Sequence, residues 1–181
     1  MEKLSDISLV TKVVMLHDRK SFDLLVRKYQ SPIRGFFLRQ TLGDAQLSDD
    51  LAQDTFVKAY THLSGFRGTA SFSTWLYRIA INESLDFLRK KKQATQVSAD
   101  DEPGIASRLL ADEYFDGDEI QAHLQEAVAL LPDVQRTVFT LKYFDNMKYS
   151  EISKILSTSE GALKASYHLA VKKITEFLQK Y

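Results

Sequence analysis

Two stretches of this 181-residue chain carry side chains whose types and spacing suit nucleic-acid chemistry. Between Phe66 and Lys92, aromatic and basic residues interleave: Phe66, Arg67, Phe72, Trp75, Tyr77, Arg78 and Phe87, then the run Arg89, Lys90, Lys91, Lys92. Aromatic faces stack on unpaired bases while cations follow the phosphate backbone, which is how single strands are held. A base drawn out of a duplex needs a pocket to receive it. The segment from Ser64 to Ser71, with Gly65 and Gly68, reads as a loop able to supply one. The plain alternative makes Trp75, Leu76 and Ile79 core residues and leaves the cationic run as the complement of a helix C-terminus.

The second stretch lies near the C-terminus. Ile152, Ile155 and Leu156 give a short helix an apolar face, and Ser157-Thr158-Ser159 forms a tight turn. Ser159 is placed to cap a last helix running to about Gln179, with acidic Glu160 in its first turn. Ala162, Leu163, Leu169 and Ile174 are expected to face inward; Lys164, Ser166, Tyr167, His168, Lys172 and Lys173 crowd the other side. This spacing predicts a DNA-binding helix-turn-helix, in which short polar residues reach base edges and cations hold phosphates. The same pair of helices also occurs in plain bundles, and Tyr167 is equally placed to pack on the preceding helix.

The elements that carry these residues are helical throughout. Phe22, Leu25, Val26 and Tyr29 form one apolar face, and Ile33, Phe36, Phe37 and Gln40 continue it after Pro32, a residue suited to a first helical turn. A further helix is expected over Leu51 to Tyr60, with Asp49 or Asp50 near its start, and the helix bearing Trp75 is expected to be capped by Ser71 or Ser73. Residues 93–119 are acidic and broken by turns, as in Asp100-Asp101-Glu102-Pro103-Gly104, and read as a linker with a short helix near Leu109 and Leu110. Helical spacing resumes at Ile120, Leu124, Val128 and Leu131; a helix from Val134 to Phe144, a turn at Asp145-Asn146 and a short helix from Tyr149 follow. The predicted fold is all-α: two small helical domains, residues 17–93 and 120–181, joined by a flexible acidic linker over residues 94–119.

Composition narrows the function further. The net charge is zero, but residues 17–92 hold 13 bases and 8 acids, residues 98–126 one base and nine acids, and residues 133–181 eight bases and five acids. Two basic lobes flanking an acidic connector suit a polyanionic partner. The absence of cysteine excludes disulfides and thiolate metal sites, and His17, His62, His123 and His168 are too far apart for a zinc site on one helix. No cofactor or metal is expected. No apolar run is long enough to span a membrane and the N-terminus lacks a secretory pattern, so a cytoplasmic protein is expected.

These segments together resemble the sigma-70 family of RNA polymerase sigma factors, extracytoplasmic-function group. Asp49 to Tyr60 looks like region 2.2; Phe66-Arg67-Gly68 through Phe72-Ser73-Thr74-Trp75-Leu76 to Asn82 looks like regions 2.3 and 2.4. Leu131-Pro132, Gln135-Arg136 and Tyr149 through Lys164 look like region 4. The resemblance implies that Asp50, Gln53, Asp54 and Phe56 contact the clamp helices of the polymerase largest subunit, with a further contact to the flap. It implies that Phe66, Arg67, Phe72, Trp75, Arg78, Asn82, Arg89, Lys90, Lys91 and Lys92 serve the −10 element, and that the helix from Ser159 and Glu160 reads the −35 element. It further implies promoter DNA and a membrane-bound anti-sigma factor as partners, with no insertion of this chain into the membrane and no reaction catalysed by it. Two residues depart from the family pattern. No arginine follows Lys164 in the recognition helix, although arginine is the usual reader of guanine, and Lys148 stands where a capping Ser is common. The competing readings are an ordinary helix-turn-helix regulator acting without being a polymerase subunit, for which residues 1–92 offer no sensor domain, and a helical interaction adaptor. An enzyme is disfavoured by the lack of a phosphate loop or triad spacing.

Overall fold

The computed structural model describes residues 5–94, 104–113 and 115–181, and among them every regular element is helical. Helix α1 (Asp6–Leu16) was not foreseen from the sequence. Ser5 caps it, its hydroxyl accepting from the Ser8 N–H at 3.2 Å, and Leu9, Val10 and Val13 bury one face. His17 in the left-handed region ends it. An ion pair of 2.6 Å between Asp6 and Lys28 ties α1 to α2 (Arg19–Gln40). Helix α2 is continuous through Pro32, where a new helix was expected. Pro32 lies on the exposed side, so its ring meets solvent, and the turns after it are held by buried neighbours on several sides.

Helix α3 (Ala45–His62) begins four residues before Asp49. The capping group is Asp44, whose carboxylate accepts from the Leu47 N–H at 3.0 Å. Gly43, at φ +80°, makes the turn before it and lies against Ile105. A 3₁₀ turn (Leu63–Gly65) and an exposed loop lead to α4 (Phe72–Ala94). Its cap is Ser71, accepting from the Thr74 N–H at 3.1 Å, one of the two residues expected there.

Part of the acidic segment is docked. Residues 95–103 and 114, including Asp100 to Pro103, lie outside the described residues. Helix α5 (Ile105–Leu110) is the short helix anticipated near Leu109, and its Ile105, Ala106 and Leu109 pack with Leu38 of α2 and with Ala122 and Ala129 of α6 (Glu119–Ala129). Arg34 of α2 then binds Asp49 at 2.6 Å and Asp112 at 3.0 Å, joining α2, α3 and the acidic segment. In α6 the buried positions are Ala122, Ala127, Val128 and Ala129. Ile120, expected to open the apolar stripe, is 74% exposed because small alanines let α6 sit close on α5 through a different face.

The helix expected over Val134 to Phe144 is α7 (Asp133–Phe139) followed by a π turn (Thr140–Phe144). Arg136 of α7 is buried, and each of its three guanidinium nitrogens donates. It donates to the Ala129 carbonyl at 2.9 Å, the Leu131 carbonyl at 3.1 Å, the Asp133 carboxylate at 2.7 Å and the Gln40 side-chain oxygen at 3.0 Å. Asn146, at φ 50°, makes the predicted turn before α8 (Tyr149–Leu156). The Lys148 ammonium cannot accept a hydrogen bond, so Glu151 secures this start by accepting from the Lys148 N–H at 2.9 Å. Ser157, left-handed at φ 51°, ends α8 and leads to α9 (Glu160–Leu178). The lobes meet where α2 touches α6 and α7 and where α4 touches α8. Replacing Arg136 with Ala strands two buried carbonyls and the Gln40 side chain. We expect a loss of about 3–5 kcal/mol in urea unfolding, the cost typical of a broken buried charge network; a loss below ~1 kcal/mol would show that the network is dispensable.

Candidate nucleic-acid and polymerase interface

In the N-terminal lobe the aromatic residues form one cluster. Phe66 meets Phe72 and Trp75 edge-on, with ring centroids 5.9 and 5.5 Å apart; Phe72 and Trp75 lie 5.8 Å apart, and Tyr29 backs Phe72 at 5.5 Å. Burial divides the cluster. Phe72 is 2% exposed and offers no face to a base in this conformation, whereas Phe66 and Trp75 are half-buried. The loop beside them is open: Arg67, Gly68 and Thr69 are exposed, and Gly68, at φ +70°, has no neighbouring atom within 4 Å of where a Cβ would sit. Trp75, Arg78, Asn82 and Arg89 fall on one stripe of α4, because steps of three, four and seven residues return to the same helix face. Arg78, Asn82, Arg89, Lys90 and Lys91 are all exposed. Arg89 pairs with Asp86 at 3.2 Å. The Lys92 side chain lies outside the described residues.

On α3 the polymerase-facing candidates behave as a set. Asp50, Gln53 and Asp54 are exposed along one face, and Phe56 is half-buried at its edge. Val57 (59% exposed) and Tyr60 (45%) extend that face and were passed over in the sequence, where they counted only as helix-forming apolar positions. Their exposure is the signal: Tyr60 meets Phe22 of α2 edge-on at 4.9 Å yet remains partly in solvent, as does Val57. Gln53, Phe56, Val57 and Tyr60 line a groove of about 1020 Å³ between α2 and α3, and Phe115 and Asp116 of the acidic segment form part of its wall.

In the C-terminal lobe Ser159 caps α9 as expected, its hydroxyl accepting from the Ala162 N–H at 3.3 Å. Ser159, Glu160, Lys164, His168, Lys172 and Lys173 are exposed, and Ser166 is half-buried. The inward stripe is Leu163, Tyr167, Ala170 and Ile174; Ala162 is exposed and Leu169 is 47% exposed, against expectation. At ~100° per residue, Tyr167 falls roughly 40° from Leu163 and Leu169 about 120° away. Tyr167 stacks on Phe139 with centroids 5.4 Å apart and meets Tyr149 edge-on at 6.4 Å. Burial among these rings raises its hydroxyl pKa. The ring is therefore a packing element of the helix-turn-helix. Lys164 and Lys142 reach over the Tyr149 ring, at 5.7 and 4.8 Å from its centroid. Among the described residues no group of His, Asp and Glu is arranged to hold a metal.

Residues 25–94 match the family model described as Sigma-70 region 2, and residues 122–174 match Sigma-70, region 4. The RNA polymerase sigma-H factor of Pseudomonas aeruginosa is 34% identical over 90% of this chain and 88% of its own length. The chain belongs to the sigma-70 family. The ECF RNA polymerase sigma factor SigW of Bacillus subtilis, 34% identical over 87% of this chain and 88% of its own, places it in the extracytoplasmic-function group. The fold agrees with two solved structures. CnrH, in complex with the cytosolic domain of CnrY, superposes with a TM-score of 0.71 over 97% of both chains at 22% identity. RpoE of Bartonella quintana, in complex with the anti-sigma factor NepR, gives 0.70 over 88% of this chain and 98% of that one at 21% identity. The matched segments of this sigma factor contain all the candidates on α3, α4 and α9. Their burial separates support from surface: Phe72→Ala should cost about 3–5 kcal/mol of stability, as large aromatic truncations in cores do. Arg67→Ala should stay within about 0.5 kcal/mol. Thermal or urea melts of the two variants that failed to differ would contradict this division.

Proposed function

We propose that this sigma factor delivers core RNA polymerase to promoters through three separate faces of its helices. The exposed face of α3, Asp50, Gln53 and Asp54 with Phe56, Val57 and Tyr60 beside it, docks on the largest-subunit clamp helices. The half-buried rings of Phe66 and Trp75, the open loop at Arg67, and the α4 stripe of Arg78, Asn82 and Arg89, with Lys90 to Lys92 at its end, take the −10 element. The strand is held there by stacking and by phosphate contacts. The cationic face of α9 enters the major groove at the −35 element. No arginine is present to read guanine bidentately, so Lys164, Lys172 and Lys173 supply mainly phosphate contacts, and selectivity falls on Ser159, Glu160, Ser166, His168 and DNA shape. No reaction is assigned to this chain. It works wherever polymerase works, in the cytoplasm, and no helix among the described residues is long and apolar enough to cross a membrane. CnrH and RpoE are held by CnrY and NepR, and we extend that relation to this chain: an anti-sigma factor, membrane-bound in the extracytoplasmic-function group, restrains it.

The observation that carries this reading is the placement of one exposed face of aromatic or polar residues on each lobe, with a third, acidic face on α3 beside the groove. An ordinary regulator needs only the α9 face. The deciding experiment is binding to bacterial core polymerase, with run-off transcription from a genomic promoter library. New start sites that share two upstream elements support the proposal. Absence of core binding, together with tight binding of the isolated chain to duplex DNA, would favour the regulator. Within the holoenzyme, Lys172→Ala/Lys173→Ala should flatten the salt dependence of promoter binding by ~0.9 in log–log slope for each phosphate that is no longer neutralised. An unchanged slope would remove α9's end from the DNA.

A further inference from the structure

The cations of α9 flank a strip of its surface that carries no polar side chain. Taking ~100° per residue, Ala165, His168 and Lys172 point most directly away from the inward stripe of Leu163, Tyr167, Ala170 and Ile174. Leu169 and Ala162 lie about 40° and 60° round the helix from Ala165, with Lys173 beyond them. Ala162 and Ala165 are exposed, and Leu169 is 47% exposed. Side chains on a helix lean toward its N-terminus, so Leu169 reaches back over the turn that holds Ala165, and the two share one apolar patch. Gly161, one turn before Ala165, is also exposed, with no atom within 4 Å of where a Cβ would sit. The start of the helix therefore presents small side chains, over which a partner can approach the backbone closely.

An exposed leucine alone is ordinary on a protein surface. This one stands on the face that the proposed function sends into the major groove, and the inference rests on that reading. The polar residues around it are less well placed to read bases. Ser166 is half-buried toward the core side, and Lys164 leans over the Tyr149 ring at 5.7 Å. In the major groove, base pairs differ by their donors, their acceptors and the 5-methyl group of thymine. The side chains of Ala165 and Leu169 have no donor and no acceptor. Set against guanine or cytosine, they take polar atoms out of water and return no hydrogen bond, which is costly. Set against thymine, they meet a methyl group, and both sides lose only apolar surface to water. We propose that Ala165 and Leu169 select thymine in the −35 element by packing on its 5-methyl group. Part of the element is then read by apolar contact, without the hydrogen bonds that an arginine would supply.

The test uses the holoenzyme and a promoter fragment drawn from the run-off experiment. Each −35 thymine is replaced in turn by deoxyuridine, which keeps the base pair and removes only the methyl. Affinity should fall about threefold to fourfold at one or more of these positions, the factor that burying one methyl-sized group gives. Leu169→Ala should weaken binding to the unmodified fragment and abolish the penalty at one such position, leaving the effect of deoxyuridine in the −10 element as it was. Leu169→Arg should move the preference at that position from thymine toward guanine, the base that arginine reads with two hydrogen bonds. Ala165→Ser, which puts a hydroxyl into the patch, should weaken the selection of thymine. Leu169 and Ala165 are both in contact with solvent, so the variants should melt with the parent, which separates lost recognition from lost fold. An affinity indifferent to every −35 methyl, a −35 element without A·T pairs, or deoxyuridine penalties that persist unchanged in Leu169→Ala would each overturn the proposal and leave the promoter reading standing. A holoenzyme that does not form, or start sites without shared elements, would remove the promoter reading and this inference with it.

Discussion

Everything in the molecule leans on the second half of α2. A surface helix usually buries one apolar stripe about 100° wide, and α2 does so through its first three turns. From Ile33 onward it buries Phe36, Phe37, Leu38, Arg39 and Gln40 in succession, because α3, α4, the acidic segment and the C-terminal lobe all approach it there. The last two of these residues are polar, and a polar group taken out of water is costly unless partnered. The partner of Gln40 is Arg136, which at the same time organises the α6–α7 turn of the other lobe. A single turn of α2 thus fixes both the core of one lobe and the seat of the other.

That dependence explains which features were legible in the sequence. The helix-turn-helix, the Ser71 and Ser159 caps and the open loop at Gly68 could be read because each depends on residues only a few positions apart. The Tyr167 and Leu169 exchange was within reach of the same reasoning: the angular spacing from Leu163 favours Tyr167, but the residue's polar hydroxyl disguised a ring that packs by its faces. The start of α3 was set by Asp44, a cap that a pair of later aspartates masked. Helix α1 lies before the recognisable motifs and forms because α2 offers it a surface. Spacing put Gln40 on the apolar face of α2, but Arg39 could not be read as buried, and the partners of neither could be named. Their partners stand about a hundred residues away, and local periodicity assigns a polar residue to water unless a distant group claims it.

The charge pattern gains meaning from the same geometry. The acidic stretch reads as a flexible linker between two basic lobes, yet the described part of it is drawn onto the N-terminal lobe, where Arg34 binds Asp112 and Asp49 together. The Asp112 side chain is only 6% exposed, so this pair is screened less than surface pairs are. Docking also brings Phe115 and Asp116 to the rim of the groove whose other wall is the α3 face. A partner that fills the groove meets the acidic segment as well as α3, so binding on α3 and the path of the segment are physically linked.

The aromatic cluster at the start of α4 shows how one set of rings is divided between core and surface. Phe72 is committed to the core and fixes the rings above it; Phe66 and Trp75 stay half in solvent, at a cost in apolar exposure that packing alone would remove. Their edge-on arrangement is already set, with no rearrangement of the lobe required for a base to meet them, and preorganisation of this sort lowers the entropy lost on binding. Helix α8 sits beside the same helix, where the Arg78 guanidinium donates to the Lys154 carbonyl.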